Sequence, residues 1–320
     1  MRPIGGELEE KKSVYSHYFT DSGRSSLRLF LRSSNHKTKK YLIPNFFCEV
    51  IEEILKEEQI DYEFYNILNT LNVDIESIRS KEYDVLYLIN YFGMIQSLDS
   101  IDISSKIIIE DNVFFNDFNN HGNYIDWYAF NSFRKITPLA DGSLIKTNLE
   151  IDKHHILNKE ALFLEKKREA KDIKYNYLYS QISDEMEYIK LFEEAEAILD
   201  NQKEIFKISS YSLLSLFQER HNQELERRRY LQLKKLFSQY TFAHDVQHYS
   251  VFPLKLKERD ELRAYLMKKN IYLPIHWPES SQKNRLYDEI ISIPLFIQYK
   301  EDEFNHMIDA IEEFFNERYK

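Results

Sequence analysis

Two apolar runs constrain this chain more than anything else in it. Residues 83–89 (YDVLYLI) and 106–111 (KIIIED) each hold a block of branched and aromatic side chains without the alternation of a strand wetted on one side. Such blocks suit strands covered on both faces. Around them, strands are expected at 41–43, closed by Pro44, and at 62–65, with helices over about 47–59 and 73–80. Strands alternating with helical segments predict a parallel sheet with right-handed crossovers, in which ligands bind beyond the carboxyl ends of the strands.

With 320 residues the chain is long enough for a large domain and a smaller one. Residues 1–20 carry Gly5, Gly6 and the aromatics Tyr15, Tyr18 and Phe19, and read as an arm. A large α/β domain is expected over 21–204 and a small α+β domain over 205–320. From about 154 to 240 an i, i+3, i+4 apolar pattern predicts long amphipathic helices. A strand at 251–256, a helix at 258–269, an extended segment at 271–275 and a last helix near 302–317 then follow.

Net charge is −10, and the one basic block, Arg227, Arg228 and Arg229, falls in a helical pattern and reads as a solvated face. Nucleic acid is therefore not expected as a partner, because phosphate binding needs a positive surface. Cys48 is the single cysteine, so no intrachain disulfide forms. The first residues lack the apolar core of a signal peptide, and no apolar run approaches the ~18–20 residues of a membrane span. A cytoplasmic protein is expected.

The stretch 127–148 (WYAFNSFRKITPLADGSLIKTN) gathers the candidate chemistry. An aromatic run, Trp127 to Phe130, reads as a buried strand, and Ser132 and Lys135 stand just past its end. An amine there, with a hydroxyl three residues before it, suits a cofactor that carries an aldehyde and a phosphate. Asp111 ends the preceding strand and is expected at the same edge of the sheet. Ser22, Gly23 and Arg24 open a helix whose free N–H groups make a ready anion seat. His244 and His248 have metal-ligand spacing on an expected helix, but there is no HExxH and no cysteine partner, so no metal site is expected. His154 and His155 read as a solvated helix start, and the many tyrosines and phenylalanines as core and interface.

Taken in order, these stretches resemble the DegT/StrS-type sugar aminotransferases, within the fold type I enzymes that use pyridoxal phosphate. The match is to the branch whose lysine lies in an S-x-R-K motif, here Ser132 to Lys135. IGGELE (4–9), DSGRSSLRLFL (21–31), YLIPNFFCEVI (41–51), IIIEDN (107–112), SFRKITPLADGSLI (132–145), YLPIHWP (272–278) and SIPLFIQY (292–299) carry the likeness along nearly the whole chain. It implies a large domain with a mostly parallel seven-stranded sheet, a smaller C-terminal domain and a homodimer. It further implies Lys135 as the residue that bonds the cofactor aldehyde and moves the substrate proton, and Asp111 as the partner of the ring nitrogen. Ser132, Ser22, Gly23 and Arg24 would hold the phosphate, Phe46 or Phe47 would pack on the ring, and His276 would either pack locally beside Trp277 or touch substrate. The implied reaction moves an amino group from glutamate to a keto-sugar nucleotide for surface-polysaccharide or glycoconjugate synthesis.

Four positions depart from the family pattern. Phe114 stands where a polar group usually bonds the cofactor's phenolic oxygen, Ser143 replaces the second glycine of DGG, and Phe296 and Gln298 replace an aspartate and an arginine. These departures suit an alternative: a protein of the same fold that has lost turnover and acts as a binding or regulatory partner.

Overall fold

The computed structural model describes residues 13–180, 185–218, 223–277, 281–296 and 298–318. The IGGELE stretch, and with it most of the expected arm, lies outside the described residues, as do Pro278 and Ile297.

Seven five-residue strands form one sheet: β1 (Ser16–Thr20), β2 (Lys40–Pro44), β3 (Asp61–Tyr65), β4 (Val85–Ile89), β5 (Ile107–Asp111), β6 (Asp126–Phe130) and β7 (Ser143–Thr147). Their spatial order is β1-β7-β6-β5-β4-β2-β3. Strands β3, β2, β4, β5 and β6 pair in parallel, while β7 runs antiparallel to both β6 and β1. This is the expected mostly parallel sheet. Every residue of β4 and β5 is buried, as their unalternating apolar runs require. In register, Ile89 lies beside Asp111 and Asp111 beside Phe130, so three strand ends finish level.

Ser16–Thr20 corrects the expected arm. Its Tyr18 and Phe19 pair with Ile145 and Leu144, making it an edge strand of the main sheet. Helices α1 (Gly23–Arg32), α2 (Glu49–Glu57) and α3 (Ile75–Arg79) follow β1, β2 and β3, and the short α4 (Phe133–Ile136) follows β6. Beyond β7, a two-residue parallel ladder joins β8 (Ile156–Leu157) to β9 (Ile205–Phe206). Between them, α5 (Phe163–Ser180) and α6 (Glu185–Asp200) pack along each other, tied by Lys166–Glu194 and Lys167–Glu196 ion pairs.

Helices α7 (Ser210–Gln218) and α8 (Gln223–Leu236) lead to a second core. There β10 (Val251–Lys255) and β11 (Ile290–Pro294) pair antiparallel and pack with α9 (Arg259–Met267) and α11 (Glu301–Arg318). The short α10 (Leu286–Glu289) precedes β11. Trp277, Leu286, Tyr287 and Ile290 join the core of the large sheet instead, so the C-terminal stretch serves both cores.

Two local expectations are overturned. Arg229 does not lie on a solvated face: it is 1% exposed, donates to the carbonyls of Phe296 (2.6 Å) and Tyr299 (2.7 Å), and covers the Phe304 ring. The last arginine of the block thus pins the chain after β11. The stretch 241–248 is irregular rather than helical, so His244 and His248 do not share a helix face. His244 bonds the Thr70 carbonyl (2.6 Å) and the His248 ring lies on Phe115. Gly93 makes that path possible. At φ +89°, its Cα lies so close to this stretch that a Cβ would sit 1.9 Å from the His248 carbonyl oxygen.

Candidate active site

The site begins where β6 stops. Asn131 leaves the sheet with its side-chain amide donating to the Phe115 carbonyl (2.8 Å) and its side-chain oxygen accepting from the Leu144 amide (2.8 Å). Ser132 then caps α4 with extended backbone, but its hydroxyl makes no capping bond. In α4 the buried side chains Phe133 and Ile136 hold the turn against the core, which leaves Arg134 and Lys135 on its other side. Gly142, at φ +113°, accepts from the Phe133 amide (2.9 Å), and a Cβ there would meet Ile208 at 2.8 Å.

The first turn of α1 is brought to the same place. Ser22 is its N-cap and accepts from the Ser25 amide (3.2 Å). A Cβ on Gly23 would lie 3.3 Å from the Asn131 carbonyl, so the glycine lets the helix start close against the end of β6. Ser143, expected to be a glycine in the DGG run that the sequence resembles, finds a use for its hydroxyl. It donates to the Asn131 carbonyl (2.5 Å) and shares a hydrogen bond with Ser26 of α1 (2.7 Å). Asp21 locks the turn from behind, accepting from the Phe206 amide (3.0 Å) and Gln202 (2.9 Å).

These elements enclose a cavity of about 220 Å³. Lys135, Asp111, Ser132, Ser22, Gly23 and Arg24 all line it, and His276 reaches it from the C-terminal part. The Lys135 side chain is accessible, but the surface it shows is cavity wall enclosed by protein. That enclosure, with the Arg134 guanidinium beside it, lowers its amine from 10.5 to about 8. Its amine has no hydrogen-bonding or ion-pair partner among the described residues.

Asp111 is buried, and burial pushes its carboxyl up from 3.8 to about 7. Two donors work against that rise: the Tyr87 hydroxyl on Oδ2 (2.9 Å) and the Val113 amide on Oδ1 (3.1 Å). A carboxylate so placed is short of a cation. His276 shares a hydrogen bond between Nδ1 and the buried Ser292 hydroxyl (2.8 Å). Burial, and then the charge of Lys135, lower it to about 3, so it is a neutral imidazole. Cys48 also faces the cavity, and burial raises its thiol.

The remaining expectations divide. Phe46 and Phe47 do not line the cavity. Phe46 packs against Tyr91, Trp277 and Tyr287, and Phe47 against Phe64, both wholly buried. Their place on the cavity wall goes to Cys48, Val50, Ile51 and Ile54. Arg24 lines the cavity but already pairs with Asp200 (2.5 Å). Phe114 faces the cavity without a polar atom, 1% exposed, stacked on Phe92 and edge-on to His276 at 4.9 Å. Tyr87 and Trp277 are site residues that the sequence reading did not single out. A lone hydroxyl in the apolar run of β4, one strand from Asp111, is the signal that would have found Tyr87. Trp277 has φ +60° and gave no such signal.

No family model matches the chain, and no curated protein does. Solved structures do. A DegT/DnrJ/EryC1/StrS aminotransferase from Brucella abortus superposes with a TM-score of 0.57 at 15% identity, over 93% of this chain and 85% of that one. DesV of S. venezuelae, solved in complex with a ketimine intermediate, gives 0.59 at 15% identity over 93% and 84%. The sugar aminotransferase CalS13 from Micromonospora echinospora gives 0.56 at 13% identity over 93% and 87%. At such identities the likeness establishes the fold: this chain has the fold type I α/β architecture of these aminotransferases.

Proposed function

We propose that the chain is a pyridoxal-phosphate-dependent aminotransferase that moves an amino group from glutamate to a keto-sugar nucleotide, in the supply of amino sugars for surface polysaccharide or glycoconjugate. The observation that carries this reading is the convergence of Lys135, Asp111 and the first turn of α1 on one cavity at the carboxyl ends of the parallel strands. The residues present fit the cofactor on their own chemistry. An unpartnered amine lowered to about 8 is available as a nucleophile, and a buried carboxyl raised to about 7 lacks a cation. The uncommitted Ser132 hydroxyl and the N–H groups that open α1 supply an anion seat between them.

When bound, the cofactor supplies an electron sink for the carbon that loses its proton. Asp111 would hold the ring nitrogen charged. Lys135 would bond the aldehyde carbon, then take and return the proton at the substrate carbon. Ser132, Gly23 and Arg24 would grip the phosphate, and Val113, Phe114 and Phe130 would exclude water. Relatives in fold that are sugar aminotransferases support the substrate class.

Addition of pyridoxal phosphate to the purified protein is expected to raise a visible absorption band, which glutamate then bleaches. A band that forms but resists every amino donor would favour the non-catalytic alternative, which the apolar Phe114 makes the one to test. The absence of any band would sink both readings.

The reading extends to a homodimer. On α7, Tyr211, Leu214 and Phe217 recur every third residue and are 66%, 63% and 82% exposed, an apolar face that a second copy would cover. Light scattering at micromolar concentration is expected to give twice the chain mass, and a clean monomer would overturn the dimer. No helix of the described residues is long and apolar enough to cross a membrane. The cytoplasm, where nucleotide sugars are made, is the compartment this reading implies.

A further inference from the structure

Strand β4 carries one polar side-chain atom, the Tyr87 hydroxyl, and that atom is aimed. Tyr87 pairs with Ile109 of β5, and Asp111 lies two residues further along β5 on the same face of the sheet. Such diagonal neighbours stand too far apart for a short side chain to bridge, whereas an aromatic one reaches. The hydroxyl meets Asp111 Oδ2 at 2.9 Å, its one hydrogen-bonding partner among the described residues. Glu110, next to Asp111, turns to the other face, where Asn90 (3.2 Å) and the Trp127 indole (2.6 Å) hold it. The phenol thus serves one of two adjacent buried carboxyls.

Tyr87 is itself fixed. It is wholly buried, its ring lies edge-on to Phe130 (centroids 6.5 Å), and the Tyr65 hydroxyl of β3 donates to its carbonyl (2.9 Å). Burial, and then the charge of Asp111, hold the phenol well above its ordinary 10, so it stays a donor near neutral pH. Asp111 takes this hydroxyl on Oδ2 and the Val113 amide on Oδ1 (3.1 Å). One donor on each oxygen fixes the plane of the carboxylate and leaves each oxygen a lone-pair position for a ligand in the cavity.

The other titratable groups around Asp111 come from separate elements. Cys48 caps α2, Tyr91 follows β4, and Arg24, Arg134, Lys135 and His276 share the cavity. Burial raises Cys48 and Tyr91 and lowers His276, so these three are neutral. Among the described residues, Tyr87 is the one side chain that gives Asp111 a hydrogen bond.

We propose that Tyr87 is a positioning residue: its hydroxyl fixes the Asp111 carboxylate, favours the ionised form, and so sets the lowest pH at which Asp111 holds a protonated ring nitrogen. The last step rests on the cofactor reading; the hold on the carboxyl does not. Hydrogen bonds to a charged acceptor are roughly twice as strong as those to a neutral one, so the phenol prefers the carboxylate to the acid. Losing that preference is expected to raise the proton affinity of Asp111 roughly tenfold, or about one pH unit.

Tyr87→Phe removes the hydroxyl and keeps the ring. On the full chain without cofactor, NMR of aspartate labelled at the carboxyl carbon follows each group from about pH 5 to 9, and Asp111→Asn identifies the resonance. The midpoint of about 7 in the parent should move up by about one unit in Tyr87→Phe. In the Asp111→Asn background, Tyr87→Phe should leave the remaining aspartates where they were. Affinity for pyridoxal phosphate is then read across the same range. Near pH 6 the carboxyl is protonated in both proteins and the variant gives up its proton less readily, so its affinity should be roughly tenfold weaker. Near pH 9 both carboxyls are ionised and the affinities should converge. An unmoved midpoint would overturn the proposal, and so would a deficit equal at every pH, which marks a packing role. A moved midpoint with affinity unchanged throughout would strike the pairing of Asp111 with the cofactor ring and leave the hold on the carboxyl standing.

Discussion

Lys135→Ala is expected to lose all measurable amino transfer while folding at least as stably as the parent at neutral pH. The loss follows from the amine's two tasks. Proton transfer by a positioned group is alone worth roughly 10²–10⁴-fold, and the bond to the cofactor aldehyde goes with it. The stability half follows from linkage. In the folded protein the amine sits at about 8, below its ordinary 10.5. Between those values the unfolded chain holds a proton that the folded chain lacks, so this group's contribution rises with pH across that window. Below about 8 both states are protonated, and the folded state carries the full cost of enclosing the charge. Alanine removes that cost. The thermal midpoint at pH 7 should therefore hold or rise, and the visible band expected with pyridoxal phosphate should be absent. A midpoint many degrees lower, with activity lost, would make Lys135 a structural residue instead.

The parts of the fold that the sequence made legible are those where one force dominates. Strands β4, β5 and β6 are apolar because both their faces are covered, and Asp111 and Lys135 follow from where those runs stop. Edge strand β1 is exposed at Ser16 and His17, only part-buried at Tyr18 and Phe19, and buried at the hydroxyl-bearing Thr20, so its backbone pairing with β7 left no pattern to read. Strand β11 belongs to a two-stranded ladder in which both strands are edges and carry a proline, Pro253 in β10 and Pro294 in β11, yet all five of its residues are buried. Phe46 and Phe47 were illegible for another reason. Adjacent side chains near a strand end turn to different sides, and here tyrosines and a tryptophan far along the chain claim one ring while Phe64 claims the other. Composition marks such residues as buried but does not say against what.

Phe114 makes one wall of the cavity apolar. Its ring closes the cavity next to His276, whose Nδ1 is engaged by Ser292 and whose neutral imidazole keeps one nitrogen free of that bond. The cavity wall on this side is thus an apolar ring with one polar atom behind it. Any group that a ligand turns toward Phe114 must be apolar or must reach His276. Ser143 shows the opposite case. A hydroxyl in place of the glycine that the resemblance implies is there absorbed by two hydrogen bonds that tie α1 to the end of β6.

Asp111→Asn is expected to act in opposite directions on stability and on turnover. Burial raises the carboxyl from 3.8 to about 7, so between those values the folded protein binds a proton that the unfolded chain does not. Stability contributed by this group accordingly falls as pH rises from about 4 to 7. At 1.36 kcal/mol per unit, the cost above pH 7 reaches about 4 kcal/mol in protein without cofactor. Asparagine carries no charge. It still accepts from Tyr87 through its one oxygen but leaves the Val113 amide unpaired, which takes back about 1–3 kcal/mol. Asp21 and Glu110 are also raised by burial and slope the same way, so the difference between variant and parent is the quantity to read. Thermal melts from pH 5 to 8 should show the parent losing stability faster than the variant. Turnover of the loaded enzyme should fall roughly 10²–10³-fold, because a buried charge placed to meet charge on the reacting system is gone. Parallel pH slopes would show that Asp111 is not the titrating group. Parent-level turnover would show that its carboxylate does not face the ring nitrogen.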